Sequence, residues 1–264
     1  MKKSSCPKLC LLSLLSLFLG ATSSGAKEKE PYAALSGKAP NGDTMNYRWR
    51  APDKMVPGKK YPLLFFLHGA GGRGNDNKGQ LNDAGAVKAF EKQGLFTKRN
   101  SYLLAGQVPR GQRWVDVHWA SLEHKMPKAS QSMSAALATL EKFIRDEKNQ
   151  VDPDRIYAMG LSMGGYGTWD AIQRRPDLFA AAVPICGGGD KTLGKKIAKL
   201  PVWAWHGDKD RIIKASRSRD MIAAIKAAGG APKYTEVKGR GHNSWVDVWN
   251  SAETWDWLYS QKRK

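Results

Sequence analysis

Residues 63–67 read "LLFFL", with no polar residue at odd or even positions. A strand with one wetted face alternates apolar and polar side chains. A run like this one needs cover on both faces, as in the interior of a parallel sheet. Further strand-length apolar runs fall at residues 102–105, 155–159, 181–185, 202–205 and 234–237. Helical patterns lie between them, at residues 130–147, 164–174, 215–228 and 246–259. The first is the clearest, with Ala135, Leu137, Leu140, Phe143 and Ile144 as its apolar stripe. Strand and helix alternating in this way predict an α/β fold, a mostly parallel central sheet with helices on both faces. Before the first buried run, "APNGD" and the alternating "MNYRWR" predict one or two antiparallel edge strands over residues 32–51. "NQVDPDR", residues 149–155, reads as a turn between a helix and the next strand.

The N-terminus reads as something other than fold. Residues 1–8 are short and basic, residues 9–20 are apolar but too few to span a bilayer comfortably, and "ATSSGA" supplies small residues for cleavage after Ala26. This pattern is that of a secretory signal peptide over residues 1–26, with a retained anchor as the alternative. It predicts a secreted or periplasmic protein with no stable membrane anchor once the leader is removed. Residues 27–264 then form a single domain. Their 41% apolar content, taken over the whole chain, can fill one sizeable core. Loss of Lys2, Lys3 and Lys8 lowers the formal charge from +19 to +16, and loss of Cys6 and Cys10 leaves Cys186 as the only cysteine. No internal disulfide is then available. The positive charge implies attraction to anionic surfaces such as acidic glycans. The lysines and arginines are scattered, however, and no nucleic-acid-binding signature accompanies them. A basic surface without a specific partner is the simpler reading.

Two strands end in glycine. After the first, Gly69, Gly71 and Gly74 spell G-x-G-x-x-G, the dinucleotide-binding spacing, with Glu91 at a distance suited to a ribose. That motif requires its third glycine inside an opening helix. Here "GNDNKGQ" follows, which reads as loop. The second junction, "GLSMGG" at residues 160–165, fits G-x-S-x-G with Ser162 at the apex. Such a strand-to-helix turn strains the central residue and aims its hydroxyl off the carboxyl end of the sheet. It also sets the Met163 backbone N–H at a helix N-terminus, where developing negative charge is stabilised.

A serine hydroxyl needs a base to take its proton. His68 and His206 end apolar strands, and His118 and His124 lie in a long irregular stretch. His242, in "GRGHNSW" between the last strand and the last helix, is best placed to reach Ser162 from the carboxyl ends of the strands. The base needs an acid to fix its tautomer. "WAWHGDKDRIIK" offers Asp208 and Asp210. Asp210 is the better placed, and Asp208 stays open as a turn or capping residue.

With Ser162, Asp210 and His242 in that order, the chain resembles the α/β-hydrolase superfamily. More narrowly it resembles secreted feruloyl and acetylxylan esterases and the prolyl-oligopeptidase-like and phospholipase/carboxylesterase-like hydrolases. The likeness covers about residues 45–260 and rests on "PLLFFLHGAGGRGNDN", "VPRGQRWVDVHW", "IYAMGLSMGGYGTW", "AAAVPICGGGD", "HGDKDRIIK" and "GHNSW". It implies an α/β-hydrolase fold, and no insertion in this chain is long enough for a large cap domain. It also implies that the Ala70 N–H is a second oxyanion donor beside Met163, and that acyl transfer runs through an acyl-serine. No metal or organic cofactor is implied. The substrate is then a small-molecule or polysaccharide-linked ester. A serine peptidase, or a non-catalytic binding protein on the same scaffold, are the competing readings. Trp114 and Trp245 are candidates for lining a substrate subsite, with burial as the alternative for each. Trp119 is nearer to an ordinary buried residue. Cys186 reads as a buried small hydrophobe.

Overall fold

The computed structural model describes Met1 and residues 31–263. The chain divides into two units, residues 1–30 and 31–264. The leader read at residues 1–26 lies, apart from Met1, outside the described residues. The second unit is built on eight strands: β1 (Ala33–Lys38), β2 (Thr44–Arg50), β3 (Tyr61–Leu67), β4 (Tyr102–Gln107), β5 (Val151–Leu161), β6 (Ala181–Ile185), β7 (Trp203–Gly207) and β8 (Lys233–Val237). They form one open sheet in the order β1-β2-β4-β3-β5-β6-β7-β8. β2 pairs antiparallel with β1 and β4, and β4 through β8 run parallel.

Every residue of β3 is buried. Leu63, Phe65 and Leu67 enter one apolar cluster, and Leu64 and Phe66 enter the other. The run without polar residues is thus one strand feeding two cores, each such side chain contributing roughly 1.5–3 kcal/mol by burial. The helices are α1 (Gly79–Asn82), α2 (Ala86–Lys92), α3 (Gln131–Arg145), α4 (Met163–Arg174), α5 (Ser216–Ala227), α6 (Trp245–Asn250) and α7 (Ala252–Ser260). Leu140 of α3, Trp169 of α4 and Ile225 of α5 cover the first face. Phe90 of α2, Val248 of α6 and Trp255 of α7 cover the second. α3 begins where Ser130 Oγ accepts the Met133 N–H at 3.0 Å, and ends over Lys142 and Arg145, which suit the negative end of the helix dipole.

Three local expectations change. β5 starts at Val151, so the "VDPD" segment read as a turn is the strand's entry. Its pairing with β3 is irregular between Tyr61 and Leu63, which accommodates Pro153 without a broken ladder. The single helix expected over residues 246–259 is two, because Ser251 leaves the helical region (φ −88°, ψ 91°) and caps α7 through the Thr254 N–H. The stretch read as loop, residues 74–80, is loop as far as Lys78, and its last two residues open α1.

After β3 the chain moves outward to β4, then crosses back to form β5 on the other side of β3. The loops leaving β3 and β5 therefore diverge and open a crevice at their carboxyl ends. At that point α4 starts in backbone contact with two strands. A Cβ on Gly160 would lie 2.6 Å from the Leu67 carbonyl oxygen. One on Gly164 would overlap that same carbonyl, and one on Gly165 would overlap the carbonyl of Ile185.

These neighbours are backbone and cannot yield like a side chain. Gly164→Ala is expected to cost about 1–3 kcal/mol or more, and to lower Tm by roughly 3–10 °C in a scanning denaturation experiment. Gly241→Ala, at a position where an added Cβ meets nothing within 4 Å, should leave Tm within about 1–2 °C.

Candidate active site

β5 ends at Leu161 and α4 begins at Met163, so Ser162 stands alone between them. Its backbone sits at φ 56°, ψ −116°, a conformation costing a non-glycine residue about 1–3 kcal/mol. Two hydrogen bonds hold it there. Its N–H donates to the Ile185 carbonyl at 2.9 Å and its carbonyl accepts the Tyr166 N–H at 3.1 Å. The side chain is left partly exposed at the carboxyl end of the sheet.

His242 reaches this hydroxyl from the loop between β8 and α6. Its Nε2 lies 2.8 Å from Ser162 Oγ, and its Nδ1 lies 2.7 Å from Asp210 Oδ2. A carboxylate only accepts, so Nδ1 carries the proton and Nε2 is free to accept from the serine. The Asp210 side chain is wholly buried just past β7, whereas the His242 side chain keeps 21% of its surface exposed. Asp210 Oδ1 accepts the N–H groups of Ile212 and Ile213 at 2.8 and 3.0 Å. Burial pushes its carboxyl up. Hydrogen bonds from His206, His242 and the Ile213 N–H outweigh that and hold it well below the usual carboxylate range. Asp208, the alternative acid, instead accepts the Gly239 N–H at 2.7 Å and closes a turn.

His206 is a partner that chain order did not reveal. It is fully buried, with Nε2 2.9 Å from the Ile213 carbonyl and 3.3 Å from Asp210 Oδ2. The carbonyl can only accept, so Nε2 carries a proton that the acid also feels. Its Nδ1 lies 2.7 Å from Ser218 Oγ. The visible signal is the four-residue spacing of "HGDKD", which folds histidine back over aspartate.

The loop after β3 is braced from several directions. Ala70 opens the 3-10 turn Ala70–Gly72, so its N–H, like that of Met163, belongs to a first helical turn and has no acceptor within it. Leu67 pairs with Gly160 across β3 and β5, which sets these two N–H groups at the ends of neighbouring strands. The Gly69 N–H donates to Asp83 Oδ2 at 2.5 Å. His68 Nε2 accepts the Val108 N–H at 3.0 Å, so Nδ1 carries the proton and donates to the Gly69 carbonyl at 2.6 Å. Burial lowers the His68 pKa to about 4. The glycine N–H that a nucleotide phosphate would use is thus taken by a carboxylate. Glu91 is occupied by the Tyr32 hydroxyl and Arg50.

The two candidate subsite tryptophans part company. Trp245 lies edge-on to the His242 ring at 5.4 Å and is partly exposed. Trp114 is corrected: it is fully buried, and its indole N–H donates to the His68 carbonyl at 3.0 Å, so it braces the end of β3 and offers no face to a substrate. Cys186 is buried at φ 40°, and burial pushes its thiol far above the ordinary range. Its Sγ, an Asp210 oxygen and a His242 ring nitrogen lie within 4.8 Å of one another. A protonated thiol is a poor metal ligand.

Residues 56–255 match the family model described as phospholipase/carboxylesterase. A poly(3-hydroxybutyrate) depolymerase from Ralstonia pickettii is 23% identical over 198 residues, 73% of this chain and 39% of the depolymerase. Among solved structures, a thermostable esterase aligns with TM-score 0.80 at 34% identity, over 88% of this chain and 64% of the esterase. An acylaminoacyl peptidase from Pyrococcus horikoshii aligns with TM-score 0.64 at 16% identity, over 88% of this chain and 42% of the peptidase. At that identity the likeness is one of fold. The chain spans less than two thirds of the length of each of these relatives.

Asp210→Asn, which presents the wrong tautomer partner to His242, should lower kcat of any Ser162-dependent turnover by about 10⁴. Asp208→Asn keeps its acceptor for Gly239 and should change it less than about threefold. For His68 the folded pKa is depressed, so its stabilisation is full above the unfolded value near 6.5 and is lost as pH falls toward about 4. Between pH 6.5 and 4.5, denaturant melts should show stability falling by up to about 1.4 kcal/mol per pH unit from this one group. A His68 ring resonance that titrates near pH 6.5 in the native protein would contradict this.

Proposed function

The chain belongs to the phospholipase/carboxylesterase family of α/β-hydrolases, and from that we propose that it is a serine hydrolase cleaving carboxylic esters through an acyl-serine intermediate. The observation that carries this reading is the unbroken chain from Ser162 Oγ through the His242 ring to a charged, buried Asp210, at 2.8 and 2.7 Å. His242 Nε2 takes the Ser162 proton as Oγ attacks the ester carbonyl. The tetrahedral oxyanion is received by the Ala70 and Met163 N–H groups. Asp210 stabilises the imidazolium, which gives its proton to the departing alkoxide as the carbon–oxygen bond breaks. Water, deprotonated by the same nitrogen, then releases the acid and restores the serine.

The substrates are small or polymer-linked acyl esters. The polyester named for the Ralstonia pickettii relative is one such class. The leader pattern of residues 1–26 supports action outside the cytoplasm, in the periplasm or beyond it. The ordered triad argues against a binding protein with a dead site. A peptidase uses the same residues, and the peptidases of like fold are longer proteins of which this chain spans 42% or less.

A fluorophosphonate probe should label wild-type protein at Ser162 and leave Ser162→Ala unlabelled, with both variants melting alike. p-Nitrophenyl acetate or methyl ferulate should turn over, and Ser162→Ala should lower the rate by about 10⁴–10⁶. Turnover of a peptide anilide with neither ester cleaved would overturn the esterase reading in favour of a peptidase.

A further inference from the structure

We propose that Arg73 and Arg113, set against Trp119 beside the Ala70 loop, form an acyl-side subsite for a carboxylate, so that the preferred esters carry a second, free carboxylate on the acyl group. This rests on Ser162 acting as the nucleophile and adds a substrate class to that reading.

The sheet order gives the site two sides. Asp210 follows β7 and His242 follows β8, to one side of Ser162. Ala70 follows β3 and Arg113 follows β4, to the other. The leaving alcohol takes its proton from His242 Nε2, so it lies toward β8 and Trp245. The acyl group, its carbonyl oxygen on the Ala70 and Met163 N–H groups, extends toward β4. There two cations are already positioned. Arg73 Nε donates to the Ala70 carbonyl at 3.0 Å, with its guanidinium 6.0 Å from the Trp119 ring. Arg113 Nη1 donates to the Val117 carbonyl at 2.6 Å, with its guanidinium 4.6 Å from the same ring. Trp119 is fixed in turn through its carbonyl, which accepts the hydroxyl of Tyr166 at 3.0 Å, one helical turn past Ser162. Ala70, Arg73, Arg113 and Trp119 all remain partly exposed.

Both guanidinium groups lack a counter-charge. Arg174, Arg175, Arg219 and Arg240 each hold an aspartate or glutamate. Among the described residues, neither Arg73 nor Arg113 forms an ion pair with a carboxylate, and Asp116, the acidic residue nearest Arg113 in the chain, pairs with neither. Both Nη groups of Arg73, and Nε and Nη2 of Arg113, keep N–H donors in the planar geometry that accepts a carboxylate bidentately. The Trp119 ring that both approach holds the cations without neutralising them.

The test compares p-nitrophenyl hydrogen adipate, anionic at its far acyl end, with neutral p-nitrophenyl hexanoate. Wild-type protein at low salt should favour the adipate in kcat/KM by about tenfold or more, and 1 M salt should narrow that ratio. Arg73→Met/Arg113→Met, and Arg113→Met alone, should bring the ratio toward one, and Arg113→Lys should restore part of it. Fluorophosphonate labelling reports whether each variant keeps a reactive serine. A wild-type preference for hexanoate, or an adipate preference that survives both Met variants, overturns the subsite. Labelled protein without adipate preference sinks the subsite alone, whereas absence of labelling and of all ester turnover sinks the hydrolase reading beneath it.

Discussion

Where the first turn of α4 passes the carboxyl ends of β3 and β6, backbone lies against backbone. Gly160, Gly164 and Gly165 have no space for a Cβ because the carbonyls of Leu67 and Ile185 occupy it. That closeness leaves Ser162 no room for a relaxed turn and fixes it at positive φ between two hydrogen bonds. The same contact sets the N-terminus of α4 beside the end of β3, so a helix dipole and the Ala70 loop converge on one spot. The placement of Ser162 and of the Ala70 and Met163 N–H groups thus follows from a single steric fit, and the two apolar cores flanking β3 hold it closed.

The acid side follows a different logic. Asp210 is a buried charge, and a buried charge is tolerated when its lone pairs are filled. Four groups do so: two backbone N–H groups, His242, and His206 from beneath. His242 therefore meets a carboxylate that cannot rotate and does not protonate over the range where an imidazole works. His242 itself, partly exposed, keeps one side open to water.

Much of this was legible in the residues. Runs such as "LLFFL" demand two covered faces, so the layered α/β architecture and most strand positions follow from periodicity alone. Motif, chain order and loop position single out Ser162, His242 and Asp210, because chemistry narrows those residue types sharply, and the fold brings the three into one hydrogen-bonded chain. What periodicity could not show was set by tertiary contact. Pro153 sits at the entry of β5 because a register irregularity with β3 absorbs it. Ser251 splits a helix whose apolar stripe runs on across the break. Trp114 and Trp245 look alike in sequence, each a tryptophan near a strand's end. One finds an acceptor in the His68 carbonyl and is buried, while the other finds the edge of an imidazole. The link between His206 and Asp210 depends on how tightly "HGDKD" curls, which no pattern of polarity encodes.

The thiol of Cys186 lies dry and protonated beneath the serine turn, and no other cysteine follows Cys10 in the chain. From Pro31 onward, cohesion comes entirely from apolar packing, hydrogen bonds and ion pairs. Such a domain is indifferent to the redox poise of the compartment in which it folds. It has no bridge to form, shuffle or lose, so oxidising and reducing surroundings offer it the same native state.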